Sequence, residues 1–441
     1  MSTFYLSPTG DDTNPGTSEL CPWKTLGRLH AHQLVNGDSI RLQGGATFTA
    51  AGLPGDVTAL IEIYGPAGIT LGSYGTGRFT LQCDDRYGIV YNGSGDTTIA
   101  DGILLGNSAA LIGADNLQVG LSLLNYGPFE LDCRNLQVHN LEAQGFALAG
   151  LLIGASVRSM TGVLVEDCLF RRNANGIHTT GARNPGGRYQ LTNLEILSTQ
   201  CLDNDAASNQ SQAGYGASIN GAEAVFVSHS VFSDNGRLSH AGGHAGLMLN
   251  DCRNGRITRN RVYRNSYGPS MLDGQGIVIH QSSDVLVDYN DVGNNDLGGI
   301  SVLSGYTVHE DGSFKDHTPS SRVTVAHNTL DGDMVGLMLC GLVNDCSFEH
   351  NKITSRWRGS QTVGLDITNH SGVRCRVYAN AFAADDYSTL LSVLGPQGLR
   401  QVDFGTANTW SAPNPFFVYG PGRWTTTLPD LLQALQVDVS V

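Results

Sequence analysis

The sequence predicts an all-β fold, a right-handed parallel β-helix (a solenoid) with an N-terminal cap and a C-terminal tail. Three observations predict it. Apolar residues recur in two columns at a spacing near 30 residues, an asparagine-rich column runs between them, and a glycine-led apolar segment closes each repeat. The chain has 441 residues and 56 glycines, so turns are frequent.

The asparagine column is clearest at Asn260 and Asn290, 30 residues apart. Ser230, Thr199 and Cys168 continue it backward; Asn328, Asn351 and Asn380 continue it forward. The step to Asn328 is longer because it contains the insertion 304–321. Three residues before the column stand Val165, Ile196, Val227, Ile257, Val287, Val325, Phe348 and Val377. Two residues after it stand Phe170, Cys201, Phe232, Val262, Val292, Leu330, Ile353 and Phe382. The template V-x-V-x-x-N-x-V reads as a short strand, a turn and a second short strand. Third strands follow at "GIHTT" (176–180), "GASIN" (216–220), "GLMLN" (246–250), "GIVIH" (276–280), "GISVL" (299–303), "GLMLC" (336–340) and "GLDIT" (364–368).

Three short strands per repeat describe a coil that stacks its apolar positions on the next coil. A leucine-rich repeat would show L-x-x-L-x-L runs, and a propeller blade needs about 40 residues in four strands. Right-handedness follows from the usual chirality of parallel crossovers. The asparagine column then forms a ladder of side-chain amides at one corner. Asn140 is placed in that column one coil before Cys168. Earlier strands are expected at "DSIRLQG", "IEIYG", "ITLGSYG" and "RFTLQC". The expected organisation is a cap with the first strands over 1–60, coils over 61–395, and a closing segment over 396–441. Within that segment, 424–435 reads as a short helix or an extended tail.

The formal net charge is −14, and Lys24, Lys315 and Lys352 are the lysines. No clustered basic charge marks a nucleic-acid footprint or attraction to an anionic membrane. Local arginine patches leave an acidic glycan open. The start has no basic n-region or apolar h-region of a secretory signal. The longest apolar run, "FALAGLLIGA" (146–155), is too short for a membrane-spanning helix. The nine cysteines are scattered and odd in number, so buried thiols are expected rather than a disulfide framework.

The opening "FYLSPTGDDTNPGTSELCPWKTLGRL", then "GDSIRLQGGATF", then coils of the form "GI.I...S..V.V..N.V..N", resemble the pectin-lyase-like superfamily of right-handed parallel β-helices. The resemblance implies an opening strand and a capping helix before the first coil. It also implies a glycan-directed activity of one of several kinds: polysaccharide lyase, glycoside hydrolase, uronan epimerase or phage tailspike. The chain lacks the Gly-His-Gly and Arg-Ile-Lys runs of polygalacturonases, the Asp-Pro-His of alginate epimerases and the Arg-Ser-Pro-Arg of pectate lyases. No catalytic residue is therefore carried over from those families.

A second column, Asn173, Asn204, Asn235, Asn265 and Asn295, lies five residues after the first. Long loops follow it in three consecutive coils, over 205–217, 236–246 and 266–276, and again over 355–364. Loops placed side by side on a rigid scaffold wall a groove. Just before this column stand Arg172, Asp203, Asp234, Arg264 and Asn294. Adjacent coils lie about 4.8 Å apart, which stacks Asp203 against Asp234 with arginines on either side. Such a carboxylate pair suits acid/base hydrolysis; the same residues also form a plain salt-bridge ladder at a turn. Asp273, His244 and His240 complete the expected catalytic set. Arg172, His178, Tyr215, Arg264, Tyr267 and Trp357 are the expected substrate-binding residues. Lys315 is the best-placed lysine for a β-elimination base.

No cofactor is expected, and no zinc site, because His240 and His244 lack the usual spacing. Calcium is the metal that the oxygens of Asp203, Asp205 and Asp234 would suit. The expected function is a carbohydrate-active enzyme that cleaves a polysaccharide in a groove, with a glycoside hydrolase using an Asp pair favoured. The alternatives are a polysaccharide lyase or uronan epimerase, and a non-catalytic glycan-binding or tailspike-like attachment protein. A monomer or homotrimer acting outside the cell, at its surface or on a virion is expected, without nucleic acid or membrane insertion.

Overall fold

A computed structural model describes residues 1–107, 118–125, 132–155, 157–205, 213–238, 244–268, 274–304, 318–356, 362–368, 372–385, 388–394, 402–405, 407–413, 417–419, 424–427, 429–430 and 433. The chain divides into two units, the first mainly Met1–Phe226 and the second mainly Val227–Val441.

Each unit is a stack of coils, and every coil gives one strand to each of three parallel sheets. In the first unit, one coil runs through Met160–Glu166, Leu169–Arg171 and Ile177–Gly181. In the second, one runs through Arg253–Thr258, Arg261–Tyr263 and Gln275–His280. In-register pairing links each strand to its equivalents above and below, as in Val287↔Val325 and Val292↔Leu330. The two apolar columns therefore stack inside their unit. Val165, Phe170, Ile196 and Cys201 are buried in the first; Phe232, Ile257, Val287, Phe348 and Phe382 are buried in the second. The seven predicted glycine-led segments are strands of the third sheet.

Short strands can meet at sharp corners because one corner residue adopts left-handed backbone. His229, Arg259, Tyr289, His327, His350 and Ala379, each just before the asparagine column, have φ between 53° and 57°. That conformation costs an L-residue roughly 1–2 kcal/mol. The next residue offsets it. Asn290 donates from Nδ2 to Asn328 Oδ1 at 3.0 Å and to the carbonyls of Ile257 and Asp288. The ladder continues through Asn351 and Asn380 to Asn408, one coil beyond the predicted column. At the other end, Asn140 is not a rung. His139 pairs with Glu166, which puts Leu141 opposite Cys168. The step is 27 residues rather than 28, and the exposed Asn140 takes the left-handed position instead.

Strand Thr3–Leu6 pairs with Ser39–Gln43, and helix Leu26–His30 buries Leu26 and Leu29. Residues assigned to the cap thus already form a rung of the first sheet. Val402–Phe404, Thr409–Ser411 and Phe417–Tyr419 add a further coil within the stretch expected only to close the solenoid. Trp424–Thr425 then pairs antiparallel with the last of these strands, and most of 426–441 lies outside the described residues.

An ion cluster around the buried Glu142 braces the second sheet of the first unit. Glu142 accepts from Arg78 Nη2 at 2.8 Å and from Arg171 Nε and Nη2 at 3.1 and 2.7 Å.

Candidate functional site

The long loops leave the second sheet and enter the third, so this corner and the outer face of the third sheet are the places to look. In the second unit Asp234 follows strand Val231–Ser233 with φ 61°, and Arg264 holds the same place one coil later with φ 53°. Aspartate tolerates this conformation better than most residues. Arg264 grips Asp234 with two bonds, Nε to Oδ1 and Nη2 to Oδ2, both at 2.7 Å. Ser233 Oγ donates to Asp234 Oδ2 at 2.5 Å. Partial burial alone would raise the Asp234 carboxyl, but Arg264, Ser233 and the nearby Arg237 together hold it below the usual range. At neutral pH it is a carboxylate that can accept a proton but has none to give.

The same two-bond grip joins Arg322 to Asp284, Arg374 to Asp345 and Arg356 to Asp331 in other coils. It is a recurring clamp between coils. Arg264→Ala should therefore change stability by less than about 1 kcal/mol, as for other exposed pairs. It should also move the Asp234 carboxyl upward, which a carboxyl-detected NMR titration would show. An unmoved titration would mean that Arg264 does not set the charge state.

Behind the clamp, Asn235, Asn265 and Asn295 form a second amide ladder that ends on Asp333, with links of 2.9, 2.8 and 2.8 Å. His244 was expected on an exposed loop. It is instead fully buried where its loop enters the third sheet, and its carbonyl accepts from Gln275 N. Tyr267 is half-buried. Gly274 approaches it closely: a Cβ there (φ 75°) would lie 2.5 Å from Tyr267 N. His240, Asp273 and Trp357 lie outside the described residues, as does Lys315.

In the first unit, Arg172 (φ 54°) and Asp203 (φ 52°) hold the equivalent corner positions, half to fully exposed. The expected stacking of Asp203 on Asp234 joins residues of different units and stays a proposal. Tyr215 was expected to offer a ring face to a sugar. It is only 4% exposed, and its backbone is tied in where Tyr215 N bonds to Asn175 Oδ1. Among the described residues no group of three or more His, Cys, Asp or Glu side chains could hold a metal ion.

The outer face of the third sheet carries a row that the loop comparison missed. In the first unit, register aligns Ser122, Leu152, His178 and Ser218. In the second it aligns Met248, Val278, Ser301, Met338, Asp366 and Ser392. Many of these side chains are shielded from water. Ser122 Oγ, Ser301 Oγ and His178 Nδ1 are closed off without a hydrogen bond among the described residues, and burial pushes the His178 imidazole below its ordinary value. A closed-off polar group costs about 1–3 kcal/mol. Such groups are rare enough to call for an explanation.

Asp366 is the row's carboxyl in the second unit. It is 8% exposed, and burial raises it against the opposing hydroxyls of Thr368 and Ser392. Thr368 Oγ1 donates to Oδ2 at 2.5 Å. One signal was available in the sequence: of the seven third-strand segments, only "GLDIT" places a carboxylate between the two inward apolar residues.

A family model described as "Right handed beta helix region" matches residues 154–382. The chain belongs to the right-handed β-helix family. This β-helix protein is similar in structure to a GH136 lacto-N-biosidase from Eubacterium ramulus, at 12% identity and TM-score 0.55, over 93% of this chain and 68% of that one. It is also similar to the Dettilon tailspike protein, at 12% identity and TM-score 0.52, over 95% and 68%. An Azotobacter vinelandii mannuronan C-5 epimerase A-module aligns at 15% identity and TM-score 0.48, over 87% and 90%. At these identities the likeness of the β-helix protein is one of fold. A search of curated proteins gives no sequence match.

Proposed function

We propose that the protein is a carbohydrate-active β-helix enzyme that cleaves a polysaccharide lying over the third-sheet face beside the long corner loops. A hydrolase is favoured. The observation that carries this reading is the corner beside the long loops of the second unit, where Arg264 and Ser233 hold the partly exposed Asp234 as a carboxylate. A sugar hydroxyl can donate to such a carboxylate. Of the similar structures, one is named a lacto-N-biosidase and one a tailspike, and both classes are taken up here.

Asp203, Asp234, Asp273, His240 and His244 are the catalytic set proposed from the sequence. Asp234, held as a carboxylate by Arg264, takes the base role within it. Arg172, His178, Arg264, Tyr267 and Trp357 are proposed to bind substrate, acting outside the cell or on a virion. Among the described residues no helix is long and apolar enough to cross a membrane.

The test is incubation with lacto-N-biosides, mannuronan and pectate. New reducing ends without ultraviolet-absorbing unsaturated products are expected. Unsaturated products would shift the assignment to a lyase. Binding without any product would leave the attachment-protein reading. Asp234→Asn should lower cleavage by about 10²-fold or more if Asp234 is the base, and unchanged turnover would remove it from the set.

A further inference from the structure

The first sheet of the first unit is interrupted midway by a column of left-handed residues: Asp96, Asn135, Gly162 and Asn193, with φ 50°, 52°, 74° and 56°. Beyond it, register lines up Thr98, Gln137, Leu164 and Glu195 on the outer face. The middle coil, through Met160–Glu166, carries the shorter side chains in both rows. It offers Gly162 and the half-buried Leu164, where the coils on either side offer Asn135 with Gln137 and Asn193 with Glu195, all exposed. The result is a trough of about 450 Å³, with Leu164 in its floor and amides and a carboxylate along its sides. A second hollow of about 470 Å³ meets it at Asp96 and runs on to Ser94, Asp132 and Ser159.

We propose that this trough is a second glycan-binding site, which holds a neutral oligosaccharide without cleaving it. It shares the glycan class of the reading above and adds a place that does no chemistry. The flanking coils stand two strand spacings apart, about 10 Å, room for one sugar ring with polar side chains on both edges. An amide donates and accepts, and a carboxylate accepts at two oxygens, so Gln137, Asn193 and Glu195 match neighbouring ring hydroxyls. Asn193 and Glu195 make no side-chain hydrogen bond among the described residues, and Gln137 meets His139 Nε2 only at 3.4 Å. Leu164 gives the C–H face of the ring an apolar contact, the usual complement to a few placed polar groups. Asp96 and Glu195 lie three coils apart, about 14 Å, beyond the roughly 5–9.5 Å of a glycosidase pair.

Charge selects against acidic glycans. Asp96, Asp132 and Glu195 line the two hollows, and the one cation among the lining residues, Arg134, is tied to Asp96 by Nε to Oδ2 at 3.2 Å. Asn135 Nδ2 adds a bond to Asp96 Oδ1 at 2.8 Å and, together with Arg134, holds that carboxyl below its ordinary range. The site therefore stays negative at neutral pH. A uronate chain would bring like charge against it, and a neutral chain would not. The joined hollows suit several sugars in a row rather than one.

The test is calorimetric titration of the full chain with cellohexaose, mannohexaose and lacto-N-tetraose, with hexagalacturonate as the charged comparison. At least one neutral chain should bind, and hexagalacturonate should bind at least about tenfold more weakly. Leu164→Arg, which fills the floor from an outward position, should raise the Kd of that chain by about tenfold or more. The double variant Gln137→Ala/Glu195→Ala, at two exposed positions, should do the same if Leu164→Arg does not fold. Asp234→Asn should leave this binding in place. Unchanged Kd in folded trough variants, tighter binding of hexagalacturonate, or no neutral chain bound at millimolar concentration would overturn the site and leave the cleavage reading standing. Neutral-chain binding that the trough variants abolish, in a protein that cleaves nothing, would support the site and overturn that reading.

Discussion

Replacing Asn328 by alanine should lower the unfolding free energy by about 4 kcal/mol, several times the effect of an ordinary surface change. Asn328 is 1% exposed and uses its whole amide. Its Nδ2 donates to Asn351 Oδ1 at 3.0 Å and to the carbonyls of Val287 and Ala326 at 2.9 and 3.0 Å. Its Oδ1 accepts from the backbone N–H and the amide of Asn290 at 2.9 and 3.0 Å. Alanine removes all of these bonds and leaves the Asn290 donors facing an apolar methyl, while Asn351 Oδ1 keeps the backbone N–H of residue 328. Each stranded group costs about 1–3 kcal/mol. The left-handed corner at His327 loses its brace as well. Coils interact mainly with their neighbours, so hydrogen exchange should accelerate most in the coils next to residue 328. Urea unfolding should report the total. A loss below about 1 kcal/mol would mean that water replaces the amide at little cost. Asn408→Ala, at the half-exposed end of the ladder, should cost less.

Glu142→Ala should cost about 3 kcal/mol, at the low end for breaking a buried ion cluster. The carboxylate side chain is 8% exposed and holds two arginines. Removing it leaves two positive charges side by side against the second sheet. Arg78 and Arg171 are themselves 29% and 37% exposed, so part of the loss is recovered as they turn to water. Replacing all three by apolar residues of similar volume should restore most of the stability, because the desolvation of the charges goes with them. If the triple replacement is as damaging as Glu142→Ala, shape rather than charge governs the site. The exposed clamp of Arg264 on Asp234 has the same partner chemistry but a much smaller expected effect, and burial makes the difference.

The repeat was legible because a solenoid writes its contacts into sequence at a fixed period. The columns at Val287 and Val292, the asparagines between them and the seven third strands all follow from that period. The pairing of Asp234 with Arg264 was also legible, since column neighbours become spatial neighbours. The slip at Asn140 arose where the period shortened by one residue. Asp333 escaped the second ladder because it follows a long insertion and is not an asparagine, although its Oδ1 accepts as an asparagine oxygen would. The burial of His244, Tyr215 and Asp366 was not legible. Periodicity gives the direction in which a side chain points, inward or outward, but not what covers the outward ones. Asp366 reads as a surface residue by its period, yet it is only 8% exposed.

The corner before the first ladder has a wider consequence. Its backbone path is set by the amide that follows it and by the next coil, not by the side chain it displays. Arginine, tyrosine, histidine and alanine all occupy it, and the rings of Tyr289, His327 and His350 stack at 5.0 Å along it. A position whose geometry is supplied from outside can exchange its side chain without redirecting the chain. The second unit therefore carries a row of replaceable groups at constant pitch, on which new surface chemistry can be composed one coil at a time while the interior is left alone.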